Sequence, residues 1–409
     1  MFEPRTAAFG SAGRCVALAR TDFGRRHFER EYRIALACTD GVSHIRRNLA
    51  FPRSPMKTGT VFFLLALLAL PVLAGGVYDL EIVPVKPGIY LLRRPDPLRQ
   101  PVECNATVIV NEQDVVVVDG GGAPLAASNA IRLIRSVTDK PVSTLITTHW
   151  HGDHNFGNQV YRATFPAIRI ISHENTYRNM TGEAMTYVKT YPKQIADYQH
   201  ELEAQAAKKP LSAGAATLLE DLKVVHAQLE SIQVTPADLT FEDRLILHRA
   251  TRDIEVRYFG KANTDGDAAV WLPQDKVLVS GDIVVNPIPY GIGSFPREWI
   301  AALQAVGALP FDTLIPGHGE VLHDRAYLDQ LIGTLTAIRT QVAGSVAKGL
   351  DLEATRKALD TSSFASAYTL DDPLRKQLFD AWWVRPIARS AWLEARGEPI
   401  VQSGTGANN

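Results

Sequence analysis

Within Thr148-His149-Trp150-His151-Gly152-Asp153-His154, three imidazoles and one carboxylate fall inside six positions, directly after an apolar run. All four side chains are of types that ligate transition-metal ions, a density that packing alone does not call for. Side chains two apart in an extended chain share a face, so His149 and His151 can reach one ion. Asp153 and His154 follow the turn toward a neighbouring ion, which makes two adjacent sites. The chemistry implied is hydrolytic: a divalent ion lowers the pKa of bound water from 15.7 toward roughly 7 and polarises an attacked carbonyl. Asp153 is then the residue to orient the water and pass a proton to a leaving group. With only one ion present, His149 and His151 are freed for general-base work, imidazole titrating near about 6.5.

Three further motifs follow the same layout of apolar strand and tight turn. Asp114 to Asp119 reads Asp-Val-Val-Val-Val-Asp and runs into Gly120-Gly121-Gly122; Ser280-Gly281-Asp282 follows Val277-Leu278-Val279; Pro316-Gly317-His318-Gly319 follows Leu314-Ile315. In this order the four motifs resemble those of the metallo-β-lactamase superfamily of hydrolases, over roughly residues 80 to 325. The resemblance implies an α/β fold, a four-layer αββα sandwich of two mixed β-sheets flanked by helices. It implies zinc, as one or two ions, with Asp153, His154 and His318 on one of them and Asp282 bridging or adding a fourth ligand. Asp119 would stand behind the ligands and support them.

One stretch departs from the family pattern. Where a segment of the type Gly-x-x-His-Thr-x-Gly-Asp is expected, the chain has Gly260-Lys261-Ala262-Asn263-Thr264-Asp265-Gly266-Asp267. Asn263 takes the place of a histidine, and a neutral amide oxygen is a poorer partner for zinc than an imidazole nitrogen. Asn263 is therefore a doubtful ligand. The Asp153/His154/His318 ion is expected to be the tighter one, with the His149/His151 ion weak, shared through Asp282, or absent. His173, just after the apolar segment Ile168 to Ile171, is a further candidate to support the ligands or touch substrate.

The activity this implies is hydrolysis of a cyclic amide or ester, β-lactam-like or a lactone, by zinc-activated water. Asp282 stands where some dedicated β-lactamases carry cysteine, which tilts toward the general hydrolase branch. Other readings stay open: a catalytically weak or non-catalytic metal-binding member, a thioester hydrolase, or an iron-dependent oxygenase, since two histidines and a carboxylate also form a facial triad for iron. The expected partner is a small-molecule substrate. With 43 basic against 44 acidic residues and a net charge of −1, the chain has no electrostatic footprint for nucleic acid. Nothing in the sequence sets the oligomeric state.

The elements that must position these groups alternate between strand and helix. Apolar extended segments occur at Thr107 to Val110, Val115 to Val118, Ser143 to Thr147, Ile168 to Ile171, Leu245 to Leu247, Ile254 to Tyr258, Ala269 to Leu272 and Val277 to Val279, with a helix expected at Ala126 to Val137. A metallo-β-lactamase-like domain over residues 75–325 carries a helical insertion at 182–236. There Tyr187, Tyr191, Ile195, Tyr198 and Leu202, then Leu219, Leu222, Val225, Leu229 and Ile232, recur at helical spacing. Packing of these stripes on each other and on the body is the plain reading; a lid over the metal cleft is the sharper one. A C-terminal helical subdomain is expected over 326–401, with the stripe Tyr327, Leu331, Leu335, Ile338 and Val342 and an aromatic docking segment at Leu378, Trp382 and Trp383. The small polar tail 402–409 is expected to be disordered.

Residues 56–74 have the layout of a signal peptide, Met56-Lys57 preceding the uncharged run Val61 to Ala74, with a cut expected after Ala74. The run is shorter than the roughly 20 residues that span a bilayer, so no membrane span is expected after cleavage. A periplasmic or secreted protein follows, starting at Met56, and residues 1–55 read as a non-native or disordered N-terminal extension. Cys15 and Cys38 lie in that extension, leaving Cys104 as a small buried filler with no partner for an intramolecular disulfide.

Overall fold

The structure, a computed structural model, describes residues 75–402. The N-terminal extension, the signal-like segment and the tail beyond Gln402 lie outside the described residues. The first sheet has seven strands in chain order: β1 (Glu81–Lys86), β2 (Ile89–Arg93), β3 (Ala106–Val110), β4 (Val115–Val118), β5 (Val142–Thr147), β6 (Arg169–His173) and β7 (Leu239–Phe241). It is antiparallel from β1 to β4 and parallel from β4 to β7. The second sheet takes β8 (Arg244–His248), β9 (Asp253–Tyr258), β10 (Ala268–Leu272), β11 (Val277–Val285) and β12 (Thr313–His318), and is parallel only where β11 meets β12.

The helices are α1 (Pro124–Val137), α2 (Gly152–Asn155), α3 (Asn158–Thr164), α4 (Glu174–Thr181), α5 (Tyr191–Ala206), α6 (Ala213–Leu229), α7 (Pro296–Gly307), α8 (Ala326–Ala347), α9 (Leu352–Ala358), α10 (Ala365–Thr369), α11 (Pro373–Leu378) and α12 (Arg385–Arg396). Among the described residues none is long and apolar enough to cross a membrane.

The run of four valines in β4 shows why the chain layers as it does. Successive side chains point to opposite faces. Val116 and Val118 enter the core between the sheets, with Ile254, Val256, Val270 and Ile315 opposite. Val115 and Val117 face outward onto Ala127, Ala130, Ile131 and Ile134 of α1. A strand covered on both faces has no polar side, hence the unbroken apolar sequence. On the second sheet, Trp271 and Leu278 pack outward against Trp299 of α7, Leu331 and Leu335 of α8 and Ile387 of α12. Two mixed sheets with helices on both outer faces are the four layers expected, and residues beyond 326 supply part of the outermost one.

The insertion forms the two helices α5 and α6, entered through a tight 3-10 turn, Glu183–Lys189. Ile195, Tyr198 and Leu202 pack with Leu219, Leu222, Val225 and Leu229, and the same cluster takes in Trp150 and Phe156 from the metal-type motif. A bidentate ion pair at 2.7 Å joins Arg99 to Asp221 of α6, their side chains 15% and 6% exposed. Arg99→Ala strands a buried carboxylate, at a cost of about 3 kcal/mol. Faster proteolytic cleavage between α5 and α6 is the expected result, and an unchanged cleavage rate would show that the pair does not hold the hairpin down.

Candidate metal centre

Strand ends bring the motif residues together. His149 and His151 leave the sheet after β5, and the single turn α2 carries Asp153 and His154 back toward it. Asp282 lies within β11 where the parallel register with β12 shifts, and His318 is the last residue of β12. His149 Nε2 lies 3.0 Å from His151 Nδ1 and 3.6 Å from Asp282 Oδ2. His154 Nε2 is 3.2 Å from His318 Nε2 and 3.2 Å from Asp282 Oδ1, and Asp153 Oδ2 is 3.1 Å from His318 Nε2. Two groups result, His149/His151/Asp282 and Asp153/His154/His318, each with ligand atoms within 4.8 Å of one another. Asp282 turns one oxygen toward each group.

These residues fit a divalent metal. Two pairs of imidazole nitrogens stand about hydrogen-bond distance apart, an arrangement that needs a shared proton or a cation. Both carboxylate oxygens of Asp282 and the Oδ1 of Asn263 are buried without a hydrogen-bond partner, although His154 Nε2 approaches Asp282. Buried acceptors left so are costly, and a cation among them removes the cost. The mixture of imidazole nitrogen and carboxylate oxygen suits zinc.

The groups behind the ligands fix their orientation. Asp119, at φ 67°, adopts a left-handed conformation that aspartate tolerates better than most residues. One of its oxygens accepts from Thr148 N at 2.8 Å; the other accepts from Thr148 Oγ1 at 2.9 Å and from His154 Nδ1 at 2.8 Å. His318 Nδ1 donates to the Glu103 carbonyl at 2.9 Å. With Nδ1 as donor in each case, both rings present Nε2 lone pairs to the centre. Burial, with His154 and His151 close by, holds His149 well below the usual imidazole range and so neutral.

Six of the residues singled out in sequence, His149, His151, Asp153, His154, Asp282 and His318, thus converge, with Asp119 beneath them. Asn263 is fully buried and donates its Nδ2 to the Tyr290 carbonyl at 2.6 Å. His173 does not join them. Its Nδ1 caps α4 by accepting from Asn175 N at 3.2 Å, its Nε2 donates to the Glu242 carbonyl at 2.8 Å, and its ring stacks 4.0 Å from that of Tyr258. Both nitrogens are spent on the backbone.

Burial lowers the pKa of His173, which fixes the sign of its pH dependence. Its contribution to stability is present above about pH 6.5, the unfolded value, and is lost as pH falls toward the depressed folded one. In His173→Asn, which keeps a capping side chain, the loss of stability between pH 6.5 and 5 is expected to be shallower than in the parent. Parallel curves from chemical denaturation would exclude this role.

Other residues reach the centre without having been read as part of it: Glu103 and Tyr290 from segments whose spacing gave no signal, Tyr187 and Trp382 from segments read as packing. Glu103 accepts from Gly122 N at 2.9 Å, and burial pushes its carboxyl up to about 8. The Tyr290 ring lies 5.0 Å from that of His318 and 5.2 Å from that of Trp382. Tyr187, from the insertion's 3-10 turn, sets its hydroxyl so close to Gly152 that a Cβ there would come within 2.6 Å of it. Trp150 donates to Gln402 at 2.9 Å. A charged residue flanked by Val102 and Cys104 was the only available hint, and it pointed to Glu103 alone.

A family model described as "Metallo-beta-lactamase superfamily" matches residues 99–318. The chain is 21% identical over 237 residues to a linear primary-alkylsulfatase of Pseudomonas sp. (strain ATCC 19151), covering 54% of this chain and 42% of the relative. It is 28% identical over 165 residues to a metallo-beta-lactamase type 2 of Elizabethkingia meningoseptica, covering 38% of this chain and 66% of the relative. Among solved structures, a stereoselective inverting sec-alkylsulfatase from Pseudomonas sp. has the same fold, with a TM-score of 0.57 at 15% identity over 81% of this chain and 52% of that one. The chain spans less than two thirds of the length of each of these relatives.

Proposed function

Since the chain belongs to the metallo-beta-lactamase superfamily, we propose that it is a metal-dependent hydrolase, using one or two zinc ions to cleave a cyclic amide or ester of the β-lactam or lactone type. The observation that carries the reading is Asp282, whose two oxygens face two separate groups of ligands. Zinc held there supplies a nucleophile at neutral pH by lowering the pKa of water toward roughly 7, and polarises the scissile group.

The side chains divide the remaining work. His149, His154, Asp282 and His318 are at most 1% exposed, whereas the Asp153 side chain is 20% exposed. His151 is partly exposed as well, so these two ligands can meet substrate, and of the two the carboxylate is Asp153. It orients the attacking water and returns the proton to the leaving group, while His149 and His151 hold their ion or, without it, act as bases. Tyr187, Tyr290 and Trp382, each half-buried, offer an apolar surface near this group to the rest of the substrate.

A sulfate ester is the second reading, supported by the alkylsulfatase relative, whose match covers 54% of this chain against 38% for the β-lactamase. An exported location also belongs to this proposal, on the strength of the run Val61 to Ala74; sequencing the native N-terminus tests it. For the activity, the metal-free and the zinc-loaded protein are assayed against a β-lactam, a lactone, a thioester and a primary alkyl sulfate. Zinc-dependent turnover of one class is expected, and Asp153→Ala should abolish it. Turnover that persists in that variant, or without metal, would refute the assignment.

A further inference from the structure

We infer that Asn263 is a ligand through its amide oxygen, completing the His149/His151/Asp282 group, and that this oxygen donor lets the half-site accept a harder ion such as Mn2+ beside Zn2+, provided that the centre holds metal as proposed above. By sequence, asparagine in place of histidine suggests a missing ligand. In the structure its amide is buried and held by one end. Asn263 is 0% exposed, and its Nδ2 donates to the Tyr290 carbonyl at 2.6 Å. That bond decides which end of the amide is which, because the flipped amide would set two acceptors face to face. The end left over is Oδ1, buried and without a protein partner.

The surrounding turn ties this oxygen to the metal motif. Thr264 donates to Asp267 Oδ2 from its backbone N at 2.5 Å and from its Oγ1 at 2.9 Å, and Ala262 N donates to the Thr264 carbonyl at 2.9 Å. Ala268 N then donates to the carbonyl of Thr148, the residue before His149, at 2.9 Å. On the other side, Tyr290 stands against His318. The turn that carries Asn263 is therefore bonded to the residue before His149, and the group that holds its amide nitrogen stands against His318.

A consequence for ion choice follows from the donors. Imidazole suits zinc, and carbonyl or carboxylate oxygen suits manganese. Zn2+ remains the stronger binder in any such set, but two imidazoles with two oxygens favour it by less than three imidazoles would.

Titration calorimetry of the metal-free full chain with Zn2+ and with Mn2+ tests this, using Asn263→Ala, Asn263→Asp and Asn263→His, with unfolding curves of each metal-free variant as a check on folding. The wild type should take two equivalents of Zn2+. Asn263→Ala should weaken the looser one by about 10–100-fold and leave the tighter one unchanged. Asn263→Asp, which keeps shape and an oxygen donor, should restore it. Asn263→His should widen the preference for Zn2+ over Mn2+ at that equivalent by about tenfold or more, a comparison that holds even if the alanine variant fails to fold. Wild-type affinities in Asn263→Ala, an unchanged ratio in Asn263→His, or a wild type that takes one equivalent would overturn the inference and leave the hydrolase reading standing. A wild type that takes no ion would overturn both.

Discussion

Asp282→Ala is expected to empty both halves of the metal centre at once and to lower turnover by at least about a thousandfold. The expectation follows from the position of one carboxylate. Oδ2 lies 3.6 Å from His149 Nε2, and Oδ1 lies 3.2 Å from His154 Nε2 and 3.6 Å from His318 Nε2, so each group loses an oxygen donor with the same substitution. Each is left with two imidazoles, and the Asp153 group keeps its own carboxylate. His151→Ala, by contrast, removes a ligand from one group only and should leave the other ion bound. Metal per chain, measured after gel filtration in metal-free buffer, separates the cases. A full equivalent retained by Asp282→Ala would show that the carboxylate serves a single ion.

What the sequence made legible, and what it did not, follows from how local each signal is. The ligands of the central motif were readable because four of them sit within six positions. The strands β3, β4 and β10 were readable because burial on both faces writes itself as a nearly unbroken apolar run, and β9 because its apolar and charged side chains alternate. The hairpin β1–β2 escaped notice. Pro84 and the Lys86-Pro87-Gly88 turn obscure the alternation, and the register itself shifts between Pro84 and Lys86. An edge strand tolerates such a proline, whereas a central one does not.

Trp382 and Trp383 illustrate the same limit at the site. Their adjacency suggested one aromatic docking segment. In the structure they lie in a π-helical turn, Phe379–Val384, which shifts side-chain positions away from the 3.6 period on which such a reading relies. Trp383 packs inward on Trp299, and Trp382 meets Tyr290 beside His318. No local pattern could divide those tasks between neighbours. The insertion is a similar case. Its helices were visible as apolar stripes, but its approach to the metal motif depends on Tyr187, which the 3-10 turn delivers to Gly152. The stripes that pack with Trp150 and Phe156 lie on α5 and α6 and Tyr187 lies on the turn that leads into them, so packing and approach to the site are joined in the insertion.

Gly317→Ala is expected to destabilise the fold by about 3 kcal/mol and to release metal as well, for a reason visible only in three dimensions. A Cβ at Gly317 would lie 2.0 Å from Asp282 Oδ1, 2.8 Å from the carbonyl carbon of Gly281 and 3.0 Å from Asp282 N. The parallel strands β11 and β12 are in register at Gly281 and Pro316, so neither can yield without opening the sheet beneath the ligands. The carboxylate must swing away or the strands must part, and either movement displaces Asp282 from His149 and His154. Metal release alone would lower stability only in the presence of zinc, since an ion stabilises just the state that binds it. The clash adds a loss that persists in metal-free protein, where urea denaturation should detect it. A double-mutant cycle then isolates its origin. In metal-free protein, Gly317→Ala should cost less on an Asp282→Ala background, because the shortest of the three contacts is gone while the two backbone contacts remain. Strict additivity of the two substitutions would mean that the carboxylate is not the obstacle, and the close approach of Gly317 would then have to be explained by the strand backbones alone.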